Sequence, residues 1–362
     1  MPGSTGKTVL VSPLNWGLGH AARLVPVIKI LQHKRYNIII GAYGASAGLL
    51  KKEFPGCKHI ELPGFTPEYS EKHSQTFALI KQVFSFLSSK RKEHKLTQEL
   101  IKDYEINLII SDNRYGVRSN KVRSVLITHQ ISPRLNGIFK WTQTIIAFFL
   151  SRWISKFDQC WIPDIDTPPG LSGKLSNNPF DLKNTIKTGI LSRFTPCPDK
   201  PKEPEYKFDY DNIAIISGPE PWRSLFERDV TELFEKDGGR SIIIKGVPEK
   251  GNDVKKVNNI TFYNHCKTPI LKELICSSKN IICRPGYSTV MDLFRLGRRA
   301  LLVPTPGQPE QEYLAHHLNE HFGFDFTLQK SLKNGTLETS TDIVIFPFFG
   351  NQLPENMIDR LV

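Results

Sequence analysis

At 362 residues the chain is long for one compact domain and sufficient for two of about 150–200 residues each. A hydrophobic content of 39% without any run of ~18 uninterrupted apolar residues describes a soluble globular protein, not one spanning a bilayer by helices. The net charge of +12 is lopsided, with 23 Lys/Arg against 12 Asp/Glu in residues 1–170 and 25 against 24 in residues 171–362, so an anionic partner would meet the first half.

The opening Gly3-Ser4-Thr5-Gly6-Lys7-Thr8 imitates a phosphate loop. It lacks the upstream glycine and precedes its strand, so it reads as a flexible N-terminus. No charged-then-apolar leader precedes Thr8, and a cytoplasmic location is expected. Strand-like runs follow near 8–14, 37–43, 58–62, 106–111, 123–129 and 159–163, with helices predicted over 20–33, 45–53, 75–103 and 138–155. Prolines and polar residues then gather between Pro163 and about Tyr206, a composition that suits a linker. A second block has strands near 212–217, 240–245, 259–263, 280–284 and 300–304, and helices near 222–236, 268–278, 287–297 and 309–321. The segment Pro354 to Val362 reads as a short helix packed on either domain. The alternation predicts an α/β protein with parallel sheets covered by helices. Domains are expected at 1–165 and 208–362, facing each other across a cleft, with 166–207 as the linker between them.

Six scattered cysteines, Cys57, Cys160, Cys197, Cys266, Cys276 and Cys283, form no C-x-x-C pair and read as reduced thiols. The alternative is a bridge between Cys276 and Cys283, which bound one loop. No zinc finger, RNA-recognition motif or basic zipper is present, so nucleic acid is not the expected partner of the basic half.

The first strand ends in Asn15-Trp16-Gly17-Leu18-Gly19-His20 and passes into a helix. Gly17 and Gly19 let backbone approach a ligand, and an imidazole at the helix start meets a dipole that favours its neutral, base-competent form. His20 reads equally as base or as cap. Asp112, after Leu108-Ile109-Ile110-Ser111, and His129, after Val125-Leu126-Ile127-Thr128, fall on the same sheet edge, where Asp112 would orient or assist a base. Both read equally as side chains satisfied by local backbone donors. Farther on, a strand stops at Arg284-Pro285-Gly286 and restarts as a helix carrying Asp292, and the polar cluster Gln308-Pro309-Glu310-Gln311-Glu312 follows the next strand. Ligands of open α/β sheets lie at such strand ends, where helix-start N–H groups meet phosphate and a carboxylate holds ribose hydroxyls. Singly, Asp292 is a helix carboxylate and Gln311 and Glu312 a solvated face; together at strand ends they read as a nucleotide-binding edge.

Gly17-x-Gly19-His20, then Thr188-Gly189-Ile190-Leu191-Ser192-Arg193, then Arg284-Pro285-Gly286-Tyr287-Ser288-Thr289-Val290-Met291-Asp292 together resemble glycosyltransferase family 28. The similarity is strongest from about 280 to 316 and weak between 30 and 105. The resemblance implies a GT-B fold of two Rossmann-like domains, the first holding an acceptor and the second a UDP-sugar, with no metal or cofactor. It implies that Asp292 binds ribose in place of a glutamate, Gln311 and Glu312 the sugar, and the Ser217-Gly218 loop the diphosphate. Arg193, Arg284, Gly286, Ser288 and Thr289 would complete the nucleotide site. His20 would be the base of an inverting transfer to an unidentified, lipid-linked or cell-envelope acceptor held near Gly17, Gly19, Arg23 and His129. Gly-x-Gly-His-x-x-Arg, completed by Arg23, is also the pattern of a related UDP-sugar hydrolase, so a hydrolase, a 2-epimerase and a silent nucleotide-sugar binder stand beside the transferase; Arg23 would otherwise take an acceptor phosphate. Finally, Ile145-Ile146-Ala147-Phe148-Phe149-Leu150 near Lys140, Arg152 and Lys156 has the composition of a helix that lies in an anionic membrane surface, or of an ordinary buried helix.

Overall fold

The computed structural model describes residues 6–65, 75–134, 141–197, 208–251, 253–334, 357, 358 and 361, with backbone alone for 75–84, 250, 333 and 334. Gly3, Ser4 and Thr5 of the decoy, the start of the helix expected from 138, the last part of the linker and residues 354–356 lie outside them. The chain forms two compact units, one of Met1–Pro133, Gly137–Leu191 and Gly350–Val362, the other of Arg134–Asn136 and Ser192–Phe349.

In the first unit seven parallel strands are ordered β3-β2-β1-β4-β5-β6-β7. They are β1 (Thr8–Pro13), β2 (Asn37–Ala42), β3 (Lys58–Glu61), β4 (Ile106–Asp112), β5 (Arg123–Ile127), β6 (Gln159–Ile162) and β7 (Thr185–Lys187). The near-continuous apolar runs are what a sheet covered on both faces requires. Alternation divides them: Val9, Val11, Ile38, Ile40, Leu108 and Ile110 enter one core, and Leu10, Ile39 and Ile109 the opposite one. Helix α1 (Gly19–His33) packs Ala21, Leu24, Val25, Ile28 and Leu31 into the first core, with α2 (Gly44–Glu53) beside it. The long α3 (Gln75–Tyr104) sets Leu96, Leu100 and Ile101 against the second. Because β1 adjoins β2 on one side and β4 on the other, the winding direction reverses between β1 and β4, and a crevice opens at their carboxyl ends.

The second unit repeats this plan. Its strands are β8 (Tyr210–Ile215), β9 (Ser241–Ile244), β10 (Val254–Val257), β11 (Ile260–Tyr263), β12 (Ser278–Cys283), β13 (Leu301–Leu302) and β14 (Asp325–Phe326), in the order β10-β11-β9-β8-β12-β13-β14. Only β10 runs antiparallel to its neighbour, and Lys255 and Lys256 are exposed on this edge strand, a placement that discourages strand addition. Helices α5 (Trp222–Asp237), α6 (Thr268–Cys276), α7 (Tyr287–Leu296) and α8 (Pro309–Phe322) complete it, α5 burying Phe226, Val230 and Phe234 against the sheet. Here the reversal falls between β8 and β12.

The predicted boundaries need correction. Residues 166–191 are part of the first unit: β7 pairs with β6, Leu171 and Leu175 are buried, and the buried Asp164 accepts the backbone N–H groups of Ile165, Leu171 and Ser172. That carboxylate organises the proline-rich loop, which is why a linker-like composition folds as part of a domain. The C-terminus also returns to the first unit, where Ile358 and Leu361 join the core containing Val9 and Leu24. The cysteine reading fails at one pair: Cys197 and Cys276 form a disulfide with a Cα–Cα distance of 5.9 Å. Their 79-residue separation gives no local spacing signal. Cys283, the partner considered for Cys276, is a buried free thiol that burial pushes up to about 12.

Candidate functional site

At the crevice of the first unit, Asp112 is the last residue of β4 and fully buried. His20 and Arg23 are three apart on α1 and so share a face. His20 Nδ1 lies 2.8 Å from Asp112 Oδ1. Arg23 grips the same carboxylate from the other side, donating from Nε to Oδ2 at 2.5 Å and from Nη2 to Oδ1. Its Nη1 is 3.1 Å from Nδ1 of His129, just beyond β5. Burial alone would raise the Asp112 carboxyl, yet Arg23 and His20 beside it bring it below its usual range. Asp112 is therefore a fixed anion. With side-chain exposures of 14% for His20 and 1% for Arg23, the imidazole is the part of this trio that a substrate can reach.

This arrangement corrects the reading of Arg23 as an acceptor-phosphate contact. A buried carboxylate requires a compensating cation, and the guanidinium fork matches it at two points. His129, 95% buried, belongs to the same network and not to an open acceptor loop. Gly17 is exposed at φ +81°, a conformation suited to glycine, and a side chain there would meet nothing within 4 Å. Gly19 opens α1.

In the second unit, Ser217 and Gly218 follow β8, and Gly218 adopts φ +109° with open space where a Cβ would stand. Across the switch point from them, β12 passes through Gly286, the N-cap, into α7, whose first turn includes Ser288 and Thr289, both half-buried. Backbone amides at a helix start, beside a glycine loop, suit a phosphate group.

Other expected ligand residues are engaged within the protein. Arg284 is fully buried, donating to the carbonyls of Val303, Pro304 and Trp222 and to Gln329 Oε1, with its guanidinium 4.1 Å from the Phe226 ring centroid. Burial brings this guanidinium down to about 10, against the pull of Asp229. Its Nη groups tie β12 to the loop after β13 and to α5. Gln311 Oε1 accepts the Thr305 N–H at 2.8 Å and Glu312 Oε1 the Gly307 N–H at 3.1 Å. Both residues therefore shape the loop between β13 and α8 and are not simply a solvated helix face. Sequence reading misses Thr305, whose hydroxyl is buried in that loop without a hydrogen-bond partner among the described residues. Asp292, in the second turn of α7, accepts from Ser192 Oγ at 2.6 Å and has Arg193 Nε 3.5 Å from its other oxygen. Burial raises the Asp292 carboxyl, and Arg193 and Ser192 oppose this without reversing it.

Among the described residues no cluster of three or more His, Cys, Asp or Glu is arranged to hold a metal ion, and no helix is long and apolar enough to cross a membrane. Helix α4 (Gln143–Ile154) buries only Ala147, Ser151 and Ile154, leaving Phe149 51% and Ile145 48% exposed, with Trp141 just ahead of it at 73%.

The family model described as glycosyltransferase family 28 C-terminal domain matches residues 246–346. Across 83% of the chain and 78% of the relative, 24% of residues are identical to the UDP-N-acetylglucosamine--N-acetylmuramyl-(pentapeptide) pyrophosphoryl-undecaprenol N-acetylglucosamine transferase of Sulfurihydrogenibium sp. (strain YO3AOP1). Among solved structures, the spinosyn forosaminyltransferase SpnP is similar over 98% of both chains with a TM-score of 0.58 and 13% identity. MurG of Acinetobacter baumannii is similar over 98% of this chain and 93% of its own with a TM-score of 0.50 and 13% identity. Taken with the two switch-point sheets, these similarities give the chain the GT-B fold and place a glycosyltransferase family 28 C-terminal domain at residues 246–346.

Proposed function

We propose that this glycosyltransferase transfers a hexose or N-acetylhexosamine from a UDP-sugar to an acceptor hydroxyl, with inversion at the anomeric carbon. The observation that carries the base assignment is the 2.8 Å contact between His20 Nδ1 and an Asp112 held as an anion. Arg23 Nη2 also lies 2.9 Å from Nδ1; the base role takes the Nδ1–H tautomer, which would donate to Asp112 and leave the Nε2 lone pair for the acceptor proton. As Nε2 takes that proton, the acceptor oxygen bonds to the anomeric carbon opposite the leaving group. The bond from that carbon to the diphosphate oxygen breaks, and UDP departs with the electron pair. A single displacement of this kind inverts the centre. The α7 start and the Ser217-Gly218 loop offer backbone N–H groups to the departing diphosphate, a stabilisation that requires no cofactor.

The decisive experiment incubates the protein with UDP-N-acetylglucosamine, UDP-glucose or UDP-galactose and measures UDP release with and without a panel of lipid-linked and free saccharide acceptors. Release that depends on acceptor supports the transferase. Free sugar without acceptor would identify a hydrolase, an epimeric UDP-sugar a 2-epimerase, and binding without turnover a silent binder.

The acceptor is proposed to be lipid-linked, with the protein peripheral at the cytoplasmic face of an anionic membrane. The apolar face of α4 supports this, together with the basic side chains near it. Lys90 Nζ lies 3.9 Å from the Trp153 ring centroid. Partial burial, then Lys156, Arg118 and Arg91, brings its ammonium down to about 8. Vesicles containing phosphatidylglycerol should sediment the wild-type protein but not Phe148→Asp/Phe149→Asp; equal sedimentation of both would end this part of the reading.

A further inference from the structure

Asp292 is the acid assigned above to the donor ribose, yet its carboxylate is occupied by the chain itself. Ser192 Oγ donates to Oδ1 at 2.6 Å, a length typical of a hydroxyl on a carboxylate. The backbone N–H of Arg193 donates to the same group, and Arg193 Nε stands 3.5 Å from Oδ2. With its side chain 11% exposed, Asp292 has no open face for two sugar hydroxyls beside these donors. A serine hydroxyl and a ribose hydroxyl are the same kind of donor.

We propose that Ser192 and Arg193 stand in for the nucleotide's ribose on Asp292 and are displaced when the nucleotide binds, so that Ser192 sets the donor affinity of the second unit. This rests on the ribose reading of Asp292. The contact is built to be exchanged. The segment from Ser192 stays docked without it, through the buried Phe194, the Lys272 Nζ to Thr195 Oγ1 hydrogen bond at 2.5 Å and the Cys197–Cys276 bridge. Arg193 Nε has no hydrogen-bond partner among the described residues and stands 3.5 Å from Asp292 Oδ2. Displacement of Ser192 would free this guanidinium for phosphate. A binding-competent state that must first break an internal contact lowers apparent affinity by its own scarcity.

Calorimetric titration of the full-length protein with UDP tests this. Ser192→Ala should bind UDP about tenfold tighter than wild type, the worth of one hydroxyl–carboxylate bond no longer broken. Ser192→Thr, which keeps the hydroxyl, should return to wild-type affinity. Asp292→Glu, one methylene longer, should reach the ribose without releasing Ser192 and also bind more tightly. Asp292→Ala should bind about tenfold more weakly. Unchanged or weaker binding by Ser192→Ala, with Asp292→Ala impaired, would make Ser192 a structural tie and overturn the inference. Unimpaired binding by Asp292→Ala would instead overturn the ribose reading beneath it.

Discussion

Asp112 in the first unit and Asp292 in the second each lie by the switch point of a parallel sheet, and each is buried. Asp112 has a guanidinium on both oxygens and an imidazole beside it, and its carboxyl is lowered. Asp292 has a neutral hydroxyl on one oxygen and a guanidinium only at 3.5 Å from the other, and its carboxyl is raised. Burial pushes both acids the same way, so the outcome is decided by how closely a cation is bound. A tightly bound cation makes a permanent anion, suited to holding an imidazole. A loosely bound one leaves a carboxyl whose partners can be exchanged, suited to a ligand site.

The strongest way to break this contrast is to remove the imidazole that the fixed anion serves. His20→Ala should lower kcat about 10³-fold with UDP affinity unchanged within about twofold, read by UDP release and calorimetry. Retained turnover would make His20 a helix cap. Asp112→Asn keeps the shape but strips the charge, leaving the Arg23 guanidinium buried beside a neutral amide. It should lower kcat about 10²-fold and destabilise the fold by about 3–5 kcal/mol in urea unfolding. If stability were untouched, the Arg23–Asp112 pair would not be the fixed anion described here.

The units also differ in cross-linking. The disulfide joins two residues of the second unit, whereas Cys57 and Cys160 in the first are free. Cys197→Ser should therefore lower stability by about 2–4 kcal/mol, with hydrogen exchange accelerated in the second unit and not in the first. Uniform acceleration would mean that the bridge does not act locally.

What could be read from the sequence follows the same division between pattern and partner. Runs such as Ile38-Ile39-Ile40 and Ile281-Ile282-Cys283 announce buried parallel strands, and Gly238, Gly297 and Gly323 mark where α5, α7 and α8 stop. The three short strands β7, β10 and β14 escaped, since strands of two to four residues carry little periodicity. At the sites, His20 and Asp112 were legible because strand ends and helix starts are. Arg23 near the start of α1 and Arg284 just after β12 both look ligand-facing until their buried acceptors are seen. Ser192 stands 100 positions from Asp292, and no local pattern connects them.

The smallest effect is also the most direct test of the two acids. The Asp112 carboxyl is lower in the folded protein than in the unfolded chain, so the folded form binds that proton less tightly. Its stabilisation is fully present above the unfolded value of about 3.9 and is lost as pH falls through the folded value. For Asp292 the sign reverses, because the raised carboxyl binds its proton more tightly when folded. That contribution is present below about 3.9 and is lost as pH rises through the folded value. Urea unfolding from about pH 3 to pH 7 separates them. The free-energy difference between wild type and Asp112→Asn should grow with pH, while that between wild type and Asp292→Asn should shrink. Parallel slopes would mean that both carboxyls are held alike, and the division into a fixed anion and an exchangeable one would fail.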